Sequence, residues 1–172
     1  MNTKSSILVV LFLFIGTTLF AQEKSKKQLR VERAIEKQQQ TEAMINAKEF
    51  VFVGRTAIPT GFKTMNLTSN PNFVKFHPER IESSMPFFGK AYSGIGYSGE
   101  GGLKFDGKPE DYTVTKGAKN YQIDASVKGK NDNFKLSLSV SFEGSASLSI
   151  TSNSRSPISY NGEISAPEKP NE

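Results

Sequence analysis

Apolar residues change their spacing along this chain. Between residues 23 and 48 they are sparse and fall three to four positions apart; from residue 50 they recur at every second position. The clearest run sets Phe134, Leu136, Leu138, Val140 and Phe142 against Lys135, Ser137, Ser139 and Ser141. Successive side chains of a strand point to opposite faces, so this run predicts a strand with one apolar and one wet face. Tyr121, Ile123, Ala125 and Val127 alternate in the same way with Gln122, Asp124, Ser126 and Lys128. Ala146, Leu148 and Ile150 alternate with Ser145, Ser147 and Ser149, and Ile158, Tyr160 and Ile164 mark a final strand. Shorter candidates are Phe73 to Phe76, Leu103 to Phe105 and Tyr112 to Val114. Phe50-Val51-Phe52-Val53 is apolar on both faces, which predicts one face on the sheet core and the other beneath the preceding helix.

The turn at Glu143-Gly144 is constrained by the faces it joins, because residues flanking a hairpin must point the same way. Phe142 points in and Ser145 out, so a two-residue loop would mismatch them. A three-residue loop, Phe142-Glu143-Gly144, lets Ser141 pair with Ser145 and puts Gly144 in the left-handed position of a bulged turn. Further turn signals fall at Asp106-Gly107, Gly117, Lys128 to Asn133 and Ser152 to Pro157. With no helices between the strands, the fold class is mainly β, an antiparallel meander curling into a barrel or sandwich.

Residues 23–48 lack Gly and Pro and are rich in Lys, Glu, Gln, Arg and Ala, which predicts one N-terminal helix. Its apolar stripe is thin: Val31, Ala34 and Ile35 share a face, Gln38 to Gln40 interrupt it, and Ile45 resumes it. The helix is therefore expected to dock towards its end.

Ahead of it, Lys4 is followed by the apolar run Ile7 to Phe14, then Gly16-Thr17-Thr18, Leu19-Phe20-Ala21 and the polar Gln22-Glu23-Lys24. This is the pattern of a cleavable export signal cut between Ala21 and Gln22. The run is too short for a membrane anchor, which needs about 20 apolar residues. The expected organisation is a signal peptide over 1–21, a helix over 22–48, a β-rich domain over 49–164 and a disordered tail over 165–172. The expected location is the periplasm or the exterior.

The chain has no cysteine, so disulfides, thiolate metal sites and an N-terminal lipidated cysteine are excluded. Removing the leader leaves about 150 residues, the size of one domain able to bury roughly two-thirds of its unfolded surface. The formal charge of +5 falls to about +4 when Lys4 leaves. Basic residues cluster only at Lys24, Lys26, Lys27, Arg30 and Arg33, where a solvated helix face accounts for them. No nucleic-acid partner, integral membrane segment after cleavage, or cofactor is expected.

Residues that could carry chemistry are few. Gly94-Ile95-Gly96-Tyr97-Ser98-Gly99 matches G-x-G-x-x-G, but Glu100-Gly101-Gly102 follows, which does not open the helix a dinucleotide site requires. His77 is the single histidine, which excludes a multi-histidine metal site, and no G-x-S-x-G elbow occurs. Asn131-Asp132-Asn133 lacks the acidic series of a calcium loop and reads as a turn. Carboxylate pairs such as Glu79 with Glu82, or Asp106 with Asp111, keep open an enzyme acting on envelope glycans. A small outer-membrane barrel is a further alternative, opposed by the polar tail and the absence of aromatic girdles. The remaining segment, Met85 to Tyr97, is rich in aromatics and glycine. It reads either as a plug, with Phe87 and Phe88 closing one end of the barrel, or as a ligand-binding loop presenting Phe87, Phe88, Lys90, Tyr92 and Tyr97. The leading functional expectation is a non-catalytic exported protein that binds a ligand or envelope partner there.

The runs Met85 to Tyr92, Gly101-Gly102-Leu103-Lys104-Phe105 and Arg155-Ser156-Pro157-Ile158-Ser159-Tyr160-Asn161-Gly162 together resemble the domain-of-unknown-function 4251 family of exported Gram-negative bacterial proteins. The resemblance covers about residues 49–164. It implies export and one β-rich domain, and it supplies no activity, ligand or functional residue.

After expression with its leader in a Gram-negative host, the recovered chain is expected to begin at Gln22. The large Leu19, three residues before the cut, allows displacement by a residue or two. Intact mass and N-terminal sequencing decide it, and a chain that retains Met1 refutes the leader.

Overall fold

The computed structural model describes residues 25–68, 72–92, 102–130 and 132–167. The chain divides into two compact units, Met1–Ile35 and Glu36–Glu172. Within the first lie the opening turns of helix α1 (Lys26–Ala47). A reciprocal cap starts this helix: Gln28 N–H donates to Ser25 Oγ, and Ser25 N–H donates to Gln28 Oε1. That arrangement satisfies two of the amide donors that a helix start leaves unpaired.

The second unit contains the end of α1 and ten strands: β1 (Phe50–Pro59), β2 (Met65–Asn66), β3 (Phe73–His77), β4 (Arg80–Met85), β5 (Leu103–Gly107), β6 (Pro109–Lys116), β7 (Asn120–Lys128), β8 (Asn133–Ser141), β9 (Ser145–Ser152) and β10 (Ile158–Ser165). They form one antiparallel sheet in the order β5-β4-β3-β1-β10-β9-β8-β7-β6, with β2 added beside β1. The sheet curls almost into a closed barrel, one of the two expected forms.

Its two ends, β5 and β6, are consecutive in sequence and separated only by Lys108. The first half of this segment pairs with β4, Leu103 opposite Met85 and Gly107 opposite Ile81. The second half pairs with β7, Pro109 opposite Val127 and Lys116 opposite Tyr121. Asp106-Gly107 is therefore not the turn its composition signals. Gly107 serves close approach instead, since a β-carbon there would sit 2.9 Å from the Lys128 carbonyl oxygen. The stacked rings of Phe105 and Phe134, 4.4 Å between centroids, join β5 to β8 across the same seam.

The alternation places the apolar positions inside. Phe52, Val74, Ile81, Leu103, Ile123, Leu138, Leu148 and Tyr160 are all essentially inaccessible and belong to one core. The interleaved Ser, Thr and Lys residues face outward. Turn chemistry follows the expectation at Gly144, whose φ is +92° and whose N–H donates to the Ser141 carbonyl, closing the loop 142–144.

The last turns of α1 dock through buried Thr41 and Ile45, with Met44 half-buried beside them. Glu42 pairs with Lys116 at 2.7 Å, and the Lys48 ammonium lies 4.7 Å from the Tyr112 ring centre, so the helix end is tied to β6. The Lys116 hydrogen bond holds the Glu42 carboxyl below the usual carboxylate range. The helix ends at Lys48, which takes φ +55°, with Lys48 N–H bonded to Ile45 O and Glu49 N–H to Met44 O. This paired closure is usually built on glycine. The helix does not cover the outer face of β1: Val53 remains 39% exposed and Ile58 40%. The docking residues of α1 lie between Thr41 and Lys48, and on the outer face of Phe50 to Val53 the helix leaves Val51 partly exposed and Val53 exposed.

Gly162 faces the bulge where the β1–β10 register shifts between Gly54 and Thr56. A β-carbon on Gly162 would overlap the Val53 carbonyl, with no side chain able to yield. Gly162→Ala is expected to lower stability by about 3 kcal/mol, a fall in melting temperature of about 6–12 °C. Gly61→Ala, with φ +81° and open space around it, should cost only about 1 kcal/mol. Thermal unfolding followed by circular dichroism separates the two, and equal effects would contradict the close β1–β10 packing.

Candidate functional site

After Met85 the chain leaves β4 and crosses towards the connection between β9 and β10. Pro86 is fixed by the Tyr160 hydroxyl, which donates to its carbonyl at 2.7 Å. Burial pushes the Tyr160 phenol far up, with the Arg155 charge pulling weakly the other way. The hydroxyl therefore stays protonated and remains a donor throughout the physiological range.

The next residues run beside Ser154–Ser156. Ser156 N–H donates to the Lys90 carbonyl at 2.9 Å, Lys90 N–H to Ser156 Oγ at 3.1 Å, and Tyr92 N–H to the Ser154 carbonyl at 2.7 Å. Gly89 is needed for this approach, because a β-carbon there would lie 2.6 Å from both the Phe87 ring and Ser156 Oγ. Arg155 organises the crossing: its guanidinium sits 5.3 Å from the Phe87 ring centre and donates to the Gly102 carbonyl at 2.6 Å.

The loop residues thus fall into two groups. Phe87 and Phe88 are half-buried and packed against the core, covering one end of the sheet. Lys90 and Tyr92 stand outside, Tyr92 with 69% of its surface exposed. Tyr97, like the whole Gly94 to Gly99 string, lies outside the described residues. Arg155 is the functional candidate that periodicity missed, since an arginine in a turn-rich connection carries no signal of what it reaches.

Asp132 holds the same end together. It accepts from Ser154 Oγ, Asn133 N–H and Asn153 N–H, joining the β7–β8 and β9–β10 loops. Burial raises this carboxyl, but hydrogen bonds from Ser154, Ser152 and the two amides outweigh it and hold the pKa low. The role is structural, in line with a turn rather than a calcium loop.

Three of the four acids considered as catalytic pairs are neutralised separately; Asp111 has no ion-pair partner among the described residues. Glu79 pairs with Lys108 at 3.1 Å, Glu82 with Lys75 at 3.8 Å, and Asp106 with Arg80 through both carboxylate oxygens. His77 flanks the two-residue turn Pro78-Glu79, opposite Arg80. No group of three or more His, Cys, Asp or Glu side chains suited to a metal occurs among the described residues.

A concavity of about 310 Å³ lies on the outer sheet face. Asp111, Asp124, Ser126, Lys135, Ser137 and Thr151 are among the residues that line it. It opens where β6 bulges away from β7: Glu110 is opposite Ser126 and Thr113 opposite Asp124, so Asp111 and Tyr112 together face Ala125. Beside it, burial pushes the Tyr112 phenol up to about 12.

These features define a class: one antiparallel sheet curled almost into a barrel around an apolar core, with a helix docked on it and an anchored aromatic crossing over one end. The family model described as "Domain of unknown function (DUF4251)" matches residues 32–164, and the chain belongs to that family. The match begins inside α1, so the family unit takes in most of the helix as well as the sheet. A crystal structure of a DUF4251 family protein from Bacteroides eggerthii DSM 20697 is similar, with TM-score 0.59 and 19% identity over 76% of this chain and 87% of that one. No curated protein matches.

Tyr160→Phe removes the donor to Pro86 and is expected to cost about 1–2 kcal/mol, lowering the melting temperature by about 2–8 °C. Tyr92→Ala, on an exposed ring, should stay within about 0.5 kcal/mol of the parent. Urea unfolding measures both, and a Tyr160→Phe chain as stable as the parent would contradict the anchoring role.

Proposed function

We propose that this protein is exported from the cytoplasm of a Gram-negative bacterium and acts there as a non-catalytic binding protein, engaging an envelope partner through Lys90 and Tyr92. One observation carries the reading: Tyr92 is 69% exposed although the backbone at and beside it is hydrogen-bonded to Ser154 and Ser156. An aromatic ring on a fixed backbone loses little entropy on association, and such rings dominate binding interfaces. Lys90 adds a cation that suits an anionic or hydroxyl-rich surface.

Other features support the parts of this reading. The apolar run Ile7 to Phe14 followed by Ala21 favours export. Separate neutralisation of Glu79, Glu82 and Asp106 favours binding over paired-carboxylate catalysis. The strands turn apolar residues inward and serine outward, the reverse of a water-filled barrel in lipid.

Purified mature chain is expected to co-sediment with isolated sacculi or with outer-membrane fragments of a Gram-negative host, each prepared separately. Lys90→Ala and Tyr92→Ala together should lower retention about tenfold with an unchanged melting temperature. Retention on neither material, or equal retention of the variant, would overturn the proposal.

A further inference from the structure

The concavity beneath the β6 bulge is a different surface from the aromatic crossing. Its floor is a grid set by strand register. One row runs Asp124, Ser137, Ser149 across β7, β8 and β9; the next runs Ser126, Lys135, Thr151. Neighbouring side chains are about 4.8 Å apart between strands, and the rows are about 6.7 Å apart along them. The floor is short; seven of its nine lining residues are polar, with Ala125 and Leu136 the others, and carbon atoms make up most of the surface it exposes, while Asp111 on the bulge forms one wall.

The polar groups are poised rather than spent. Ser137 Oγ donates to Asp124 Oδ1 at 2.6 Å, and Gln122 Nε2 donates to Ser137 Oγ at 2.8 Å and to the same Oδ1 at 3.2 Å. These bonds fix the carboxylate and leave Oδ2 with no partner among the described residues. Asp111 and Lys135 likewise have no ion-pair partner among those residues. The groove therefore offers two acceptor-only carboxylates, one ammonium donor and a set of hydroxyls that give or accept.

We infer that this groove is a saccharide-binding site, taking one or two rings of a neutral, hydroxyl-rich oligosaccharide. A carboxylate accepts from both members of a vicinal diol, which only a sugar ring presents repeatedly, and Lys135 donates to a ring or hydroxyl oxygen. The flat floor suits an extended chain of rings. A volume of about 310 Å³ is at the low end for ligand pockets, which run from about 300 to 1,000 Å³. Without an aromatic floor to stack on, binding is weak and specificity rests on the diol.

The test uses the full mature chain, isotope-labelled, with cellotriose and chitotriose as probes. Both are β-1,4-linked trisaccharides, but in chitotriose an acetamido group replaces the 2-hydroxyl of every ring, which leaves the 3,4-diol of the non-reducing ring as its one vicinal diol among the linked rings. Cellotriose is expected to shift the amide resonances of Ser126, Ser137 and Ser149 with millimolar affinity, and chitotriose to bind at least about tenfold more weakly. Asp124→Asn keeps the acceptor for Ser137 but loses the charge, and should weaken cellotriose at least about tenfold. Asp111→Gly relaxes the positive φ while removing the second carboxylate, and should weaken it without lowering the melting temperature. Absence of shifts at these amides, equal binding of both sugars, or full binding by Asp124→Asn would each overturn the inference. Because Lys90 and Tyr92 are intact in every variant, failure here leaves the envelope-binding reading untouched.

Discussion

A sheet that curls on itself must dispose of its two edges, and here both belong to one segment, Leu103 to Lys116. The first half of that segment spends its ladder on β4 and the second half on β7, so the seam closes by changing partner at Lys108. Pro109, with no N–H to give, stands where the change occurs and costs the ladder nothing on its open side. Gly107 lets the seam approach β7, and the Phe105–Phe134 stack fills the space behind it. The inner apolar positions can then meet in one core instead of leaving half of them at an open edge.

Closure of this kind leaves β6 with a single strand neighbour, a row of backbone groups open to pairing. The end of α1 is bound to that strand at Lys116 and Tyr112. A charge pair and a cation–ring contact are each weak, but the buried Ile45 and Thr41 fix the helix from which they reach. The family match, which starts at residue 32, takes in most of that helix. Both candidate surfaces lie outside the apolar core. One is built from a chain crossing the sheet end, the other from the bulge that re-aims β6.

Much of this was legible in the alternation. The strands from Tyr121 onward, the three-residue loop at Gly144 and the helix all follow from side-chain period and turn chemistry. What failed did so for identifiable reasons. Arg80 to Met85 carries too few apolar residues to read as a strand, because Ser83 takes an inward position and donates to the Leu103 carbonyl. Asp106-Gly107 has turn composition, yet its glycine serves close approach. Val53 has the apolar character of a covered residue and lies open, since local sequence does not say where a helix will dock. For the sites, Phe87, Phe88, Lys90 and Tyr92 were visible as an unusual run, but only the anchoring by Tyr160 and Arg155 separates the covering rings from the displayed one. The groove was illegible for a plainer reason: Asp124, Ser137 and Ser149 are single letters in three strands until register puts them in a row.

The residue at the bulge bears on what that row is for. Asp111 holds φ +53°, a left-handed conformation that aspartate adopts more readily than most L-residues. Glycine would form the same bulge at lower strain, as bulges of this type commonly do. What aspartate adds is a carboxylate on the wall of the groove, with no ion-pair partner among the described residues and hence little return in stability. Asp124 makes the complementary case, since Ser137 and Gln122 orient it through one oxygen and leave the other open. An acid on the bulge with no ion-pair partner among the described residues and an acid oriented through one oxygen thus face the same hydroxyl-lined floor, the arrangement on which the inferred saccharide site rests.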